Sequence, residues 1–397
     1  MKKKIVIIIG ICLLLFISVI HHYQQHYHVN KDDCTLIIPT EKKQDIINEL
    51  NRIKPKIKEV IDQDSLDGYR LGNGIASLSP QGIQKIITIL KETNSCIHDE
   101  QGYYNLSHNQ VFYDFYNDYK NHKESSFVYY QIMQSGNIQR QEFVYQNEHC
   151  YILESYIDFV QNNECDVTGY EIEQLSFDEY GYFSFHYIYP EIMRDYGGIE
   201  YQYIKITPID SVFRNYNRQY IQPIGYYCQN LFTINWNQKN INDLYFPDLF
   251  EYIYALRYDT PFYGTQYPLG ESYIRYINEN DFENLICQYF QITPQKLRQC
   301  QGYCQQKRSY EYNELSCIES KWETPEIFSE IVDAKEENHI LTLTVHAMGY
   351  EDGYSLAFTH IVKILKKDNG DFYYLSNTIP ESPHNQIPDY QIRQSCH

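Results

Sequence analysis

His360 is the side chain whose type and setting most directly invite chemistry. Leu356, Phe358, Val362 and Ile364 share its parity on a strand expected over Ser355 to Leu365. A period of two places all five on one apolar face. An imidazole there is either hydrogen-bonded within a core or poised in a pocket for proton transfer or ligand contact. The core reading predicts a hydroxyl or main-chain carbonyl partner from the neighbouring helix around Phe282 to Phe290. Tyr182 and Tyr189 head a second group, with Tyr180, Tyr187, Tyr196, Tyr201 and Tyr203 close by. Alternating tyrosines build either a half-buried sheet or a recognition platform, since each ring offers a large amphipathic face at low entropic cost.

Metal and thiol chemistry have thinner support. His21, His22, His26 and His28 crowd one short stretch, and His22 and His26 stand at i, i+4. That spacing could hold zinc or copper, yet no Cys or carboxylate stands at ligand spacing, so a solvated linker explains it as well. The chain has 11 cysteines, and Cys300-x-x-x-Cys304 is not the two-residue redox spacing. It would put two thiols on one helical face if a helix reached residue 304. An even number outside a membrane segment permits disulfides, although a chain of this size needs none.

Common catalytic signatures are missing. No Gly-x-Ser-x-Gly, His-Glu-x-x-His, Ser-x-x-Lys or phosphate-binding loop occurs, and Gly72-Asn73-Gly74 lacks the third glycine of a dinucleotide fingerprint. No cofactor is expected, and the balance points away from an enzyme. Two carboxylates can suffice for a glycosidase, but 52 acidic residues give no basis for choosing a pair such as Glu191 and Asp195. The two tryptophans, Trp236 and Trp322, are few for a sugar cleft. Trp236 instead reads as a core residue of the middle domain.

The elements that would position these residues are of both kinds, which predicts an α+β chain. Ile46, Leu50, Ile53, Ile57 and Val60 recur at helical spacing between Glu41 and Asp62, with Pro55 expected to break or kink that helix. Ser79-Pro80 opens a second helix, and Ser107 to Tyr119 forms a third. The period then falls to two over Phe127 to Met133, Ile138 to Tyr145 and Tyr151 to Phe159, with further strands to Ile206. Helices are expected over Pro208 to Tyr220, Ile241 to Tyr258 and Asn280 to Phe290, with Thr293-Pro294 opening another. Ile340 to Ala347, Ser355 to Leu365 and Phe372 to Asn377 make a closing three-stranded meander, its last hairpin turning at Asp368-Asn369-Gly370.

The N-terminus reads as a transmembrane helix. Lys2, Lys3 and Lys4 precede an uncharged run from Ile5 to Ile20, which spans roughly 24 Å as a helix. The basic flank stays in the cytoplasm, and Ile17-Ser18-Val19-Ile20 offers only Ser18 where a cleavage site wants small residues at two positions. The membrane is therefore one partner, through residues 5–20, and the bulk of the chain is extracytoplasmic. The formal charge is −19, and removing Lys2 to Lys4 leaves 30 basic against 52 acidic residues outside. Nucleic acid is excluded as an ordinary partner, because phosphates need clustered Lys and Arg. There are 42 tyrosines and five alanines, as a low-GC codon bias or a tyrosine-lined surface would give. The expected organisation is 1–20 cytoplasmic start and anchor, 21–34 tether, 35–260 helical section with an antiparallel α+β domain, 261–380 C-terminal α+β domain, and 381–397 loose tail.

Several stretches carry a resemblance: Tyr180-Gly181-Tyr182-Phe183-Ser184-Phe185, Ile206-Thr207-Pro208-Ile209, Tyr220 to Tyr226, Leu231 to Trp236, Leu249-Phe250-Glu251, Phe282-Glu283 and Ala357-Phe358-Thr359-His360. Their order resembles an uncharacterised family, a domain of unknown function in membrane-anchored or exported proteins of low-GC gut bacteria. The resemblance spans about residues 80–380 and implies an extracytoplasmic module rather than a reaction. The reading that follows is a membrane-anchored binding or interaction protein of the cell envelope, whose partner is an envelope protein or a peptide. The alternative is an envelope hydrolase acting on wall or surface polymer, which requires polar groups converging on a closed pocket.

Overall fold

A computed structural model describes residues 28–29, 35–64, 69–70, 76–133, 135–159, 165–187, 202–270, 274–313, 327–349 and 356–393. The expected anchor at 5–20, most of the tether, His22, His26 and Tyr189 lie outside these residues. Among the described residues no helix is long and apolar enough to cross a membrane. The fold is α+β with largely antiparallel sheets. It divides into two compact units, Met1–Pro208 and Ile209–His397.

The first unit opens with α1 (Thr40–Asp64) and α2 (Pro80–Leu90). The apolar stripe of α1 is buried as its spacing predicts, but the helix runs through Pro55 unbroken. Pro55 lies on the exposed face, where water can serve the carbonyl that the missing N–H leaves over, while the buried stripe holds both halves in line. Ser79 caps α2: its Oγ accepts from the Gly82 N–H at 3.0 Å and donates to Asp64 Oδ1, at the end of α1, at 2.6 Å. Ser79→Ala should lower the stability of this unit by about 1 kcal/mol. A shift in the urea midpoint measures the loss, and an unchanged midpoint would show that the cap contributes nothing.

Seven strands follow: β1 (Cys96–Asp99), then, after α3 (Asn109–Lys120), β2 (Ser125–Ile132), β3 (Ile138–Gln146), β4 (His149–Ile157), β5 (Val167–Phe177), β6 (Tyr182–Tyr187) and β7 (Gln202–Lys205). They form one sheet in sequential order, antiparallel except that β1 pairs with β2 in parallel. One face packs Tyr130, Ile132, Ile138 and Leu153 against the stripes of α1 and α2. The other packs Phe127, Phe143, Phe183 and Phe185 against Phe112 and Phe115 of α3. Both faces are covered, so β3 buries residues of both parities and does not alternate cleanly.

The second unit contains α4 (Ser211–Tyr216) with a π-helical turn at Asn217–Ile221, β8 (Trp236–Asn237), α5 (Phe246–Tyr258), β9 (Arg275–Asn278), α6 (Glu279–Tyr289), α7 (Pro294–Leu297), β10 (Tyr303–Cys304), β11 (Ser309–Tyr312), β12 (Phe328–Glu337), β13 (Ile340–Met348), β14 (Leu356–Lys366) and β15 (Phe372–Thr378). The expected meander is in fact the centre of a five-stranded antiparallel sheet, ordered β8-β15-β14-β13-β12. A separate three-stranded sheet is ordered β9-β11-β10. β12 escaped sequence reading because it is a charged edge strand, with Asp333, Lys335, Glu336 and Glu337 and a register shift between Ile331 and Asp333. The boundary expected near 260 falls at 208, because Leu231, Phe232, Trp236, Phe246 and Phe250 enter the same core as Leu343, Val345 and Phe358. Trp236 thus belongs to the C-terminal unit rather than to a middle domain.

Cys304 lies in β10, so no helix aligns it with Cys300. Residues 381–393 are not a loose tail: Arg393 is 4% exposed and bonded to α5. Apolar periodicity is silent on such a segment, because its anchors are one tyrosine hydroxyl and one charged side chain.

Candidate functional site

His360 sits at 0% exposure in β14, opposite Val345 of β13. Its Nδ1 lies 2.7 Å from Asn377 Oδ1, and its Nε2 lies 2.7 Å from the Tyr226 hydroxyl. Asn377 Nδ2 donates to the carbonyls of Phe232 and Ile234 at 3.1 and 2.8 Å. The amide orientation assigns the tautomer: Asn377 Oδ1 must accept, so Nδ1 carries the proton and Nε2 accepts from Tyr226. Burial pushes the His360 pKa down to about 4, against the opposing pull of the Asn377 hydrogen bond. The ring is therefore neutral, doubly bonded and closed to solvent. The partners come from the 226 loop and β15, not from the Phe282 to Phe290 helix that the sequence favoured.

Other polar clusters are likewise paired within the fold. On α6, Glu279 and Glu283 stand one turn apart, as paired catalytic carboxylates might. Arg298 grips Glu283 with Nε and Nη2 at 2.6 and 2.9 Å, and Tyr310 donates to Glu283 at 3.1 Å. Glu279 bonds Arg308 and accepts from Tyr303 at 2.9 Å. On α5, Asp248 and Glu251 enclose Arg393, whose side chain is 1% exposed. In the first unit, Arg140 pairs with Glu49 and Glu142 at 3.0 Å each. Buried charges require such partners, since removing one member strands the other in a low dielectric. Arg140, Arg298 and Arg393 were all missed in the sequence, where a lone Arg carries no periodic signal.

Tyr182 is 4% exposed, with Lys205 Nζ 4.4 Å above its ring. It belongs to the sheet and forms no open platform. Tyr189, His22 and His26 are outside the described residues, so this geometry neither gathers nor separates them. Burial pushes the Cys96 and Cys150 thiols up to about 12, which keeps them protonated and poorly nucleophilic.

One open concavity of ≈ 490 Å³ lies on the first unit, between the start of α1 and the strands β2 and β3. Glu41, Asp45, Glu124 and Glu142 line it with Lys42. Lys42 is already paired with Glu142, so the lining retains an excess of carboxylates.

In comparison with known proteins, residues 43–393 match the model of a family described as Family of unknown function (DUF6070). No curated protein and no solved structure matches the chain.

Proposed function

The chain belongs to this family of unknown function, and from that premise we propose that it is a membrane-anchored, extracytoplasmic interaction protein of the cell envelope. The observation that carries the interaction reading is that, among the described residues, the buried ionisable side chains singled out above are paired within the fold. His360, Glu279, Glu283 and Arg140 are each held by partners within the fold. Groups committed in this way build a scaffold, and recognition falls to the surface. Lys2 to Lys4 ahead of Ile5 to Ile20 support the anchor and the outward orientation. The acidic excess and the carboxylate-lined concavity of the first unit favour a partner with a cationic face, either an envelope protein or a peptide. That relatives are anchored or exported proteins of low-GC gut bacteria is part of the same proposal.

Protease added to intact spheroplasts should digest the chain beyond residue 30. Full protection of that region would overturn the topology. Detergent-solubilised full-length protein, incubated with purified cell wall, should leave the polymer intact. Release of soluble fragments would replace the interaction reading with a hydrolase.

A further inference from the structure

Arg393 is held as a ligand is held. Its guanidinium meets Glu251 and the carbonyls of Asp248, Cys228 and Asn313, the last three at 2.9, 3.3 and 3.2 Å. The Tyr252 ring centre lies 5.8 Å from the guanidinium carbon. The Arg393 N–H donates to Asp248 Oδ2 at 3.1 Å, and the Tyr390 hydroxyl donates to the same oxygen at 2.7 Å. Asn313 Nδ2 returns a bond to the Arg393 carbonyl at 2.9 Å. Every wall of this socket comes from chain that precedes the segment it holds.

The segment itself has the character of a bound peptide. Residues 381–392 are exposed or half-exposed and form neither helix nor strand. Pro380, Pro383 and Pro388 favour an extended course. Apart from the Gln386 N–H donated to the Ala357 carbonyl, the hold falls on Tyr390 and Arg393. These are a tyrosine and an arginine three residues apart, dropped from an exposed stretch of chain into an anionic socket built by the preceding chain.

We propose that this socket is a recognition site for an extended Tyr-x-x-Arg segment, filled in one molecule by its own Tyr390 and Arg393 and able to take the same segment from a second copy of the chain. The occupant is a second copy because the socket fits this sequence and each copy carries it. Exchange breaks and remakes the same contacts, so it requires only that the exposed segment swing out. In dilute solution the intramolecular arrangement wins, because the tether keeps the effective concentration in roughly the millimolar range. The inference does not rest on the envelope reading.

The test removes the intramolecular option. Full-length Arg393→Ala keeps a socket without its arginine, and full-length Glu251→Gln with Asp248→Asn keeps the segment without its socket. Each alone should be monomeric by light scattering, and their mixture should form a one-to-one heterodimer. A synthetic peptide of residues 380–393 should also bind the Arg393→Ala chain, and the same peptide with Ala for Arg should bind at least about tenfold more weakly. A mixture that stays monomeric while both variants keep their near-UV circular dichroism would overturn the proposal. So would a folded Arg393→Ala chain that ignores the peptide. Collapse of the Arg393→Ala chain would make the arginine a fixed part of the core and would equally overturn it.

Discussion

Trp236→Ala should destabilise the C-terminal unit by about 3–5 kcal/mol. The indole is 2% exposed, and its Nε1 donates to the Leu231 carbonyl at 2.8 Å. Its backbone pairs with Asn377 of β15, and its ring lies 6.0 Å from that of Phe290. Truncation leaves a large cavity and releases the 231–236 loop from the sheet edge. Denaturant unfolding followed by near-UV circular dichroism should show the transition of this unit moved to lower denaturant. In a Trp322→Phe background, iodide should quench the remaining Trp236 fluorescence poorly. A freely quenched indole, or a shift under 1 kcal/mol, would remove Trp236 from the core.

How much of this was legible follows from which faces are covered. β13 buries Leu341, Leu343, Val345 and Ala347 and leaves the residues between them half-buried, so a period of two reads directly. The stripes of α1 and α2 and the hairpin at Asp368-Asn369-Gly370, with Gly370 at φ 87°, were equally plain. The three-residue Ile241–Asp243 turn merged in sequence with α5, although Pro247 places the true helix start near Phe246. The grouping of 209–260 with the last strands could not be read, because contact between distant segments leaves no local period.

The candidate site shows the same division. Strand parity alone placed His360 on the buried face. The identity of its partners depends on Tyr226 and Asn377, which lie 134 and 17 residues away along the chain. The Gly225-Tyr226, Leu231 to Trp236 and Ala357 to His360 stretches that carried the family resemblance converge on this one knot. Asn377 ties the Phe232 and Ile234 carbonyls to His360, and Trp236 pairs alongside. These stretches therefore describe how the second unit is held together, and a reaction cannot be read from them.

Substitution at His360 should separate charge from shape. His360→Leu keeps much of the volume but strands the Tyr226 hydroxyl and Asn377 Oδ1, at roughly 1–3 kcal/mol for each unpaired group. His360→Asp adds a carboxylate facing the Asn377 oxygen and should be the more damaging of the two, with loss of the native near-UV spectrum at neutral pH. The wild-type pH dependence follows from the lowered pKa. The folded state holds His360 at about 4 against an ordinary value of 6.5. Its contribution is thus complete above about 6.5, declines as the pH falls toward 4, and levels off below, a loss of about 3 kcal/mol. Asp248, pushed up to about 6 by burial, titrates across the same window with the opposite sign. Wild-type stability alone would therefore mix the two contributions, whereas Asp248 cancels in the difference between wild type and His360→Leu. That difference should be largest near pH 7 and shrink steadily to about pH 4. A pH-independent difference would mean that His360 is not held as a buried neutral ring.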